Sequence, residues 1–193
     1  MILPILSYGH PILQEKSQME PKTYPELGKL IDNMWETMYS AGGCGLAAAQ
    51  VGQPLRLFVV DSSKAYAYMS PEDRKKYFPF DQGIKETFLN ARLLLQSKET
   101  WRDVEGCLSI PSLQEEVERP WRITIEYEDR DFQTQVRTLS GLTARMVQHE
   151  QDHTEGILYL DRLEPLQRDQ LSSKLQKIAA GEVKAPFPMQ FPS

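Results

Sequence analysis

Apolar residues recur at helical spacing between Tyr24 and Tyr39, with Leu27, Leu30, Ile31, Met34 and Met38 on one face. This run predicts an amphipathic helix, broken by Gly42, Gly43 and Gly45. The pattern then changes. Leu57, Phe58, Val59 and Val60 form an unbroken apolar run, read as a buried strand over Arg56 to Asp61. Thr87 to Leu95 reads as a further strand. Ile123, Ile125 and Tyr127 alternate with Thr124, Glu126 and Glu128, the signature of a half-buried strand. Asp129-Arg130-Asp131 supplies a hairpin turn, and Gln133 to Thr138 the return strand. Ser140 is placed to cap a helix from Gly141 to about Thr154. A short strand is expected at Ile157 to Leu160, then an amphipathic helix over about Gln167 to Ala180, ending near Gly181. Strands and helices follow one another without regular βαβ alternation, which is an α+β order.

Two stretches stand outside this pattern. Residues 62–86 are Ser-rich, then charged, and carry Tyr66, Tyr68, Tyr77, Phe78 and Phe80. They read as a surface excursion packed by its own rings, with a flap or partner surface as the sharper alternative. The end of the chain is rich in proline (Ala185-Pro186-Phe187-Pro188, then Phe191-Pro192-Ser193) and is expected to drape over the surface or fray rather than enter regular structure.

The 193 residues suit one domain, with a core that needs no staples. The expected division is a catalytic domain over 1–165, a helix of the same domain over 166–182, and a Pro-rich tail over 183–193. A net charge of −5 provides no basic footprint for sequence-specific nucleic-acid binding, though it leaves room for brief contact with an RNA-bearing partner. No stretch approaches the roughly 20 apolar residues of a membrane span. Met1 to His10 lack the pattern of a secretory signal, and two cysteines make no disulfide framework. A reducing cytoplasm is therefore the expected location, with both thiols free.

One of those thiols is drawn in by the chemistry of the later helix. His149-Glu150-Gln151-Asp152-His153 fits H-E-x-x-H. At about 100° per residue, the two histidines lie within roughly 40° of each other and can reach one divalent ion. Glu150 falls beside them, where a carboxylate can take a proton from a water acidified by the ion. Leu142, Met146, His149 and His153 share one stripe, which should be buried. A pair of hydrogen-bonded core histidines is the competing reading.

A catalytic centre needs a third protein ligand. His10, between Gly9 and Pro11, has no motif around it and reads as structural or exposed. Cys107, in Glu105-Gly106-Cys107-Leu108-Ser109, is a candidate, although a lone Cys is as a rule a small buried hydrophobe. Gly43-Cys44-Gly45-Leu46-Ala47-Ala48-Ala49-Gln50 is neither a P-loop nor a dinucleotide fingerprint. Its small residues would let a substrate approach the backbone, and Gln50 offers a donor to a developing oxyanion. A tight turn with a surface Gln is equally consistent with the residues alone.

Taken together, and in this order, the three segments resemble the peptide deformylase family, whose pattern runs G-x-G-L-A-A-x-Q, E-G-C-L-S, H-E-x-x-H. The likeness extends over about residues 1–165. It implies antiparallel or mixed β-sheets packed around a central helix that bears H-E-x-x-H, with a C-terminal helix. It implies one divalent ion held by Cys107, His149 and His153, Fe2+ in the cell, with Zn2+, Ni2+ or Co2+ able to substitute. Glu150 would be the general acid/base, and Gln50 with the backbone N–H of Leu108 would stabilise the tetrahedral intermediate. Gly45 would bind the peptide through its backbone, and Glu105 would help orient the site. The implied substrate is an N-formylmethionyl nascent peptide, met in transient contact with the ribosome, and the products are formate and a free amine.

The substrate's Met side chain requires an apolar pocket. Leu142 and Met146 are expected to line it, with Cys44 joining as a small hydrophobe. Asn90-Ala91 replaces a common Asn-Pro and is read as a softened turn. The alternatives are a zinc endopeptidase, which would need a further ligand downstream of His153, and a metal-bearing binding module without catalysis.

Overall fold

The structure is a computed structural model and describes residues 1–192. In chain order the elements are β1 (Ile5–Leu6), α1 (Leu27–Ser40), β2 (Gly45–Ala47), β3 (Leu57–Asp61), α2 (Ser63–Tyr68), α3 (Pro71–Tyr77), β4 (Lys85–Gln96), β5 (Thr100–Cys107), β6 (Ile110–Pro120), β7 (Arg122–Glu128), β8 (Thr134–Ser140), α4 (Gly141–Thr154), α5 (Pro165–Ala179) and β9 (Met189–Gln190). The main sheet is antiparallel, in the order β2-β3-β4-β7-β8, and two small sheets pair β5 with β6 and β1 with β9. This is the expected α+β architecture around a central helix.

The elements that follow a clean period sit where the pattern puts them. In α1, Leu30, Ile31, Met34 and Met38 are buried. In β7, Ile123, Ile125 and Tyr127 point inward, and every residue of β3 is buried. α4 runs across the inside of the main sheet against β2 and β3. Because it is central, α4 is buried almost all round, through polar residues such as Thr143, Arg145, Gln148 and Asp152 as well as Ala144 and Val147. The stripe expected to be buried is so only in part: His153 is buried. Leu142, Met146 and His149 are only half-buried, because this side of the helix faces a cleft.

Other departures have local causes. Ile157 to Leu160 is no strand: residues 159–162 form a 3-10 turn, and the Leu158 amide donates to Asp161 Oδ2 at 2.8 Å. Ser140 stands at the N-cap of α4, but its side chain makes no capping bond. Asn90 is not in a turn. It lies inside β4 at an irregularity of the pairing with β7, at φ +52°, and its side-chain amide donates to Glu20 and Glu128. Asn tolerates the left-handed region better than most residues, and these two bonds hold it there.

The excursion folds into α2 and α3. Tyr66 and Phe78 meet edge to face, and Arg74 lies over Tyr66, so two of its rings pack on one another, while Tyr68 and Phe80 stay exposed. They also reach the body of the protein: Tyr77 rests on Trp101, and Gly141 sits so close to the Tyr77 carbonyl that a Cβ would approach it to 2.2 Å. The tail does not fray. β9 runs parallel to β1, the Ile5 amide donates to the Pro188 carbonyl, and the Ser7 amide donates to the Gln190 carbonyl. The prolines flank this pairing, where no amide is required of them. The end of the expected tail, Ser193, lies outside the described residues.

Three core clusters result. One joins α5 (Leu171, Leu175, Ile178) to the β5–β6 hairpin and Tyr159; a second lies between the main sheet and α4; the third lies between α1 and the sheet.

Candidate metal centre and active site

The cleft opens where the three clusters meet. Cys107 packs against the first, Met146 against the second and Leu108 against the third, and all three line a cavity of about 700 Å³. The donor atoms of Cys107 and His149, which line it, and of the buried His153 behind them lie within 4.8 Å of one another. His10 is not part of this group. Helix α4 delivers the two histidines with ring centroids 5.2 Å apart. Cys107 arrives from the last position of β5, where the register with β6 shifts and Cys107 pairs directly with Ile110. Its Sγ is 3.3 Å from His153 Nε2.

Glu105, two residues earlier on β5, faces the same side and fixes His149. Its Oε2 lies 2.9 Å from His149 Nδ1, leaving Nε2 for the cleft. A carboxylate behind a ligating imidazole sets the tautomer and the ring orientation. Glu105 is itself clamped. Arg119 donates to both its oxygens at 2.6 and 2.8 Å, and Arg145 donates at 2.5 Å. Arg119 is fully buried and also donates to Asp152, which accepts two bonds from Arg162. Burial alone would raise Glu105, but Arg119 and His149 hold it well below the usual carboxylate range. It stays charged.

Arg119, Asp152 and Arg145 escaped the sequence reading. Asp152 occupies a variable position of H-E-x-x-H, and Arg145 stands four residues before His149 on the same helix. That i, i+4 spacing was the available signal. Arg119 carried none, because its partners come from other elements.

Glu150 is different in kind. It is buried, and its Oε2 has no hydrogen-bond partner. Burial pushes its pKa up to about 7, against the attraction of His149 and Arg119. A Cβ at Gly45 would come within 2.3 Å of Glu150 Oε1, so only glycine leaves room for this carboxylate. The imidazoles are driven apart. Burial opposes charge on both, but the bond to Glu105 and the charge of Glu150 raise His149, while the charges of His149 and Arg119 keep His153 neutral.

Gln50 is buried, not a surface residue. Its Oε1 accepts from the Ala47 amide at 2.9 Å, which turns Nε2 toward Ser109 Oγ at 3.1 Å and Cys107 Sγ at 3.4 Å. Gly45, Cys44, Leu142, Met146 and Leu108 all line the cleft. Cys44, just before β2 begins, keeps exposed surface at this lining. No residue of the 62–86 excursion lines the cleft.

The donor set can be tested against a metal. One thiol and two imidazoles, one oriented from behind by a carboxylate, match a three-ligand site for a divalent transition ion with a position left open. The unpartnered carboxylate of Glu150 beside them is costly without a cation and sensible with one.

A helix-borne H-E-x-x-H that meets a cysteine from a β-hairpin, at a cleft of this size, defines a site of the metallohydrolase class. The chain belongs to the polypeptide deformylase family, whose model matches residues 2–169. This family is metal-dependent and removes the N-terminal formyl group from nascent peptides. The chain is similar to the peptide deformylase of Christiangramia forsetii, 43% identical over 100% of this chain and 97% of that one. It is 42% identical to that of Flavobacterium psychrophilum, over 98% and 97% of the two chains. The crystal structure of peptide deformylase from Ehrlichia chaffeensis superposes with a TM-score of 0.80 at 30% identity, covering 94% of this chain and 99% of that one. The same enzyme in complex with actinonin gives 0.75 at 30% identity, covering 91% and 96%.

Proposed function

We propose that this chain deformylates N-formylmethionyl peptides with Cys107, His149 and His153 as the ligands of one divalent ion and Glu150 as the general acid/base. The observation that carries this reading is the meeting of those three donor groups beside a buried carboxylate that has an oxygen without a partner. When bound, the ion would acidify water and polarise the formyl oxygen. Fe2+ is the ion we assign in the cell, with Zn2+, Ni2+ or Co2+ as substitutes. A thiolate with two imidazoles is a donor set that accepts any of them.

The residues divide the remaining work. Glu150 takes a proton from the attacking water and passes it to the leaving amine, the two halves of general base and general acid work by one carboxylate. Gln50 Nε2, aimed by the Ala47 amide, and the Leu108 backbone N–H would donate to the developing oxyanion. Glu105 keeps His149 in one tautomer. β2 is an edge strand of the main sheet. The backbone of Gly45 is therefore suited to receive an extended peptide by strand addition. Leu142 and Met146 would form the methionine pocket, with Cys44 on its rim. Formyl is preferred to acetyl because an extra methyl on the carbonyl carbon would press on the oxyanion donors.

Residues 1–165 and the helix over 166–182 would act as one catalytic domain, with 183–193 as its tail. The cytoplasm is the proposed location, supported by two free thiols and by the lack, among the described residues, of a helix long and apolar enough to cross a membrane. Transient contact with the ribosome would supply the nascent chain.

The test is formate release from formyl-Met-Ala-Ser by the ferrous-loaded protein. Turnover is expected, with loss by orders of magnitude in Glu150→Gln that still binds the ion. A folded, loaded sample that releases no formate would overturn the reading, and casein cleavage without formyl dependence would favour an endopeptidase.

A further inference from the structure

The tail reaches the cleft. Pro186 and Phe187 line the same cavity as Gly43, Leu108 and Met146. They lie beyond residue 169, where the match to the family model ends. Phe187 is half-buried and packs, like Leu108, against the core cluster between α1 and the sheet, whereas Met146 packs against the cluster beneath α4. Phe187 and Met146 therefore approach the cleft from different sides. Leu108 bends over the glycines, since a Cβ at Gly43 would meet its Cδ1 at 2.8 Å. The tail is held where it is by β9 on β1 and by Phe191 and Pro192, which rest on Gly181 and Gly9.

We propose that Phe187 is a specificity residue: with Leu108 it forms an apolar wall for the side chains that follow formylmethionine. The proposal rests on the deformylase reading above. A peptide laid along the open edge of β2 places its methionine on the Leu142–Met146 side. Its following residues, about 3.3 Å apart in an extended chain, then continue past Gly43 toward Leu108 and Phe187. A half-buried phenyl ring in that position has apolar surface to offer and no hydrogen bond to make. It should distinguish substrates by the apolar area they bring.

The experiment compares kcat and KM of the wild type, Phe187→Ala and Phe187→Leu on formyl-Met-Leu-Leu, formyl-Met-Ser-Ser and formylmethionine amide. Phe187→Ala is expected to lose about tenfold in kcat/KM on formyl-Met-Leu-Leu, through KM. It should lose less than about twofold on the other two substrates, and Phe187→Leu should recover most of the loss. An equal loss on all three substrates would overturn the proposal, because it would mean that the ring only supports the fold. No loss on any would overturn it too. Should the wild type itself release no formate from any of the three, the deformylase reading fails instead.

Discussion

Replacing Glu150 with Gln should stabilise the metal-free protein while destroying its activity, and the size of the effect follows from burial. The carboxyl is buried, one of its oxygens has no partner, and its pKa stands at about 7 against an ordinary 4.5. A carboxyl whose pKa is raised by folding contributes fully below the ordinary value, and that contribution is lost as pH rises through the folded value. The gap of about 2.5 pH units, at about 1.4 kcal/mol each, corresponds to about 3 kcal/mol lost between pH 4.5 and pH 8. Gln does not titrate. Chelator-treated wild type and Glu150→Gln are to be unfolded in urea at pH 5 and at pH 8. The variant should gain about 2–3 kcal/mol on the wild type between the two, since pH 5 is already above the ordinary value, or roughly 4–12 °C in Tm for a chain of this size. Comparing two pH values cancels whatever the new amide does at both. With a divalent ion bound, the cation holds the carboxylate in its charged form and the gain should shrink. An equal change of stability with pH in the two metal-free proteins would refute the reasoning, because Glu150 would then be ordinarily solvated.

The other predictions concern the supports of the site. Gly45→Ala drives a methyl into the Glu150 carboxylate and should lower kcat by at least about tenfold, with the fold retained by circular dichroism; wild-type kcat would mean that the carboxylate has room to spare. Arg119→Ala leaves Glu105 and Asp152 buried with fewer partners and should cost about 3–5 kcal/mol in urea denaturation. A cost below about 1 kcal/mol would show that water replaces the guanidinium. Glu105 is held below its ordinary 4.5, so its contribution is complete above that pH and declines as pH falls below it. Between pH 6 and pH 3 the wild type should therefore lose more stability than Glu105→Gln, and parallel curves would contradict the clamp.

What the sequence by itself determined was local. The spacing of His149 and His153 depends only on helix geometry, so the pair was legible before any fold was known, and so were α1, β3 and β7, whose apolar periods are clean. Cys107 was not legible from its own residues. The β5 strand that carries it alternates in burial but not in polarity, since Asp103 and Glu105 take inward positions while Val104 faces solvent, and only the order of the three motifs singled it out. The rest was decided by the tertiary structure. Cys107 and His153 are 46 residues apart, and Arg119 and Asp152 are 33 apart. Contacts across such separations leave no period in the chain. The same holds for the open face of α4. A helix stripe records that apolar residues share a side, whereas its neighbours decide whether that side meets a core or a cleft. The Pro-rich tail is the clearest case: its composition forbade a long strand, but two proline-free residues sufficed to pair with β1 and hold Phe187 at the cleft.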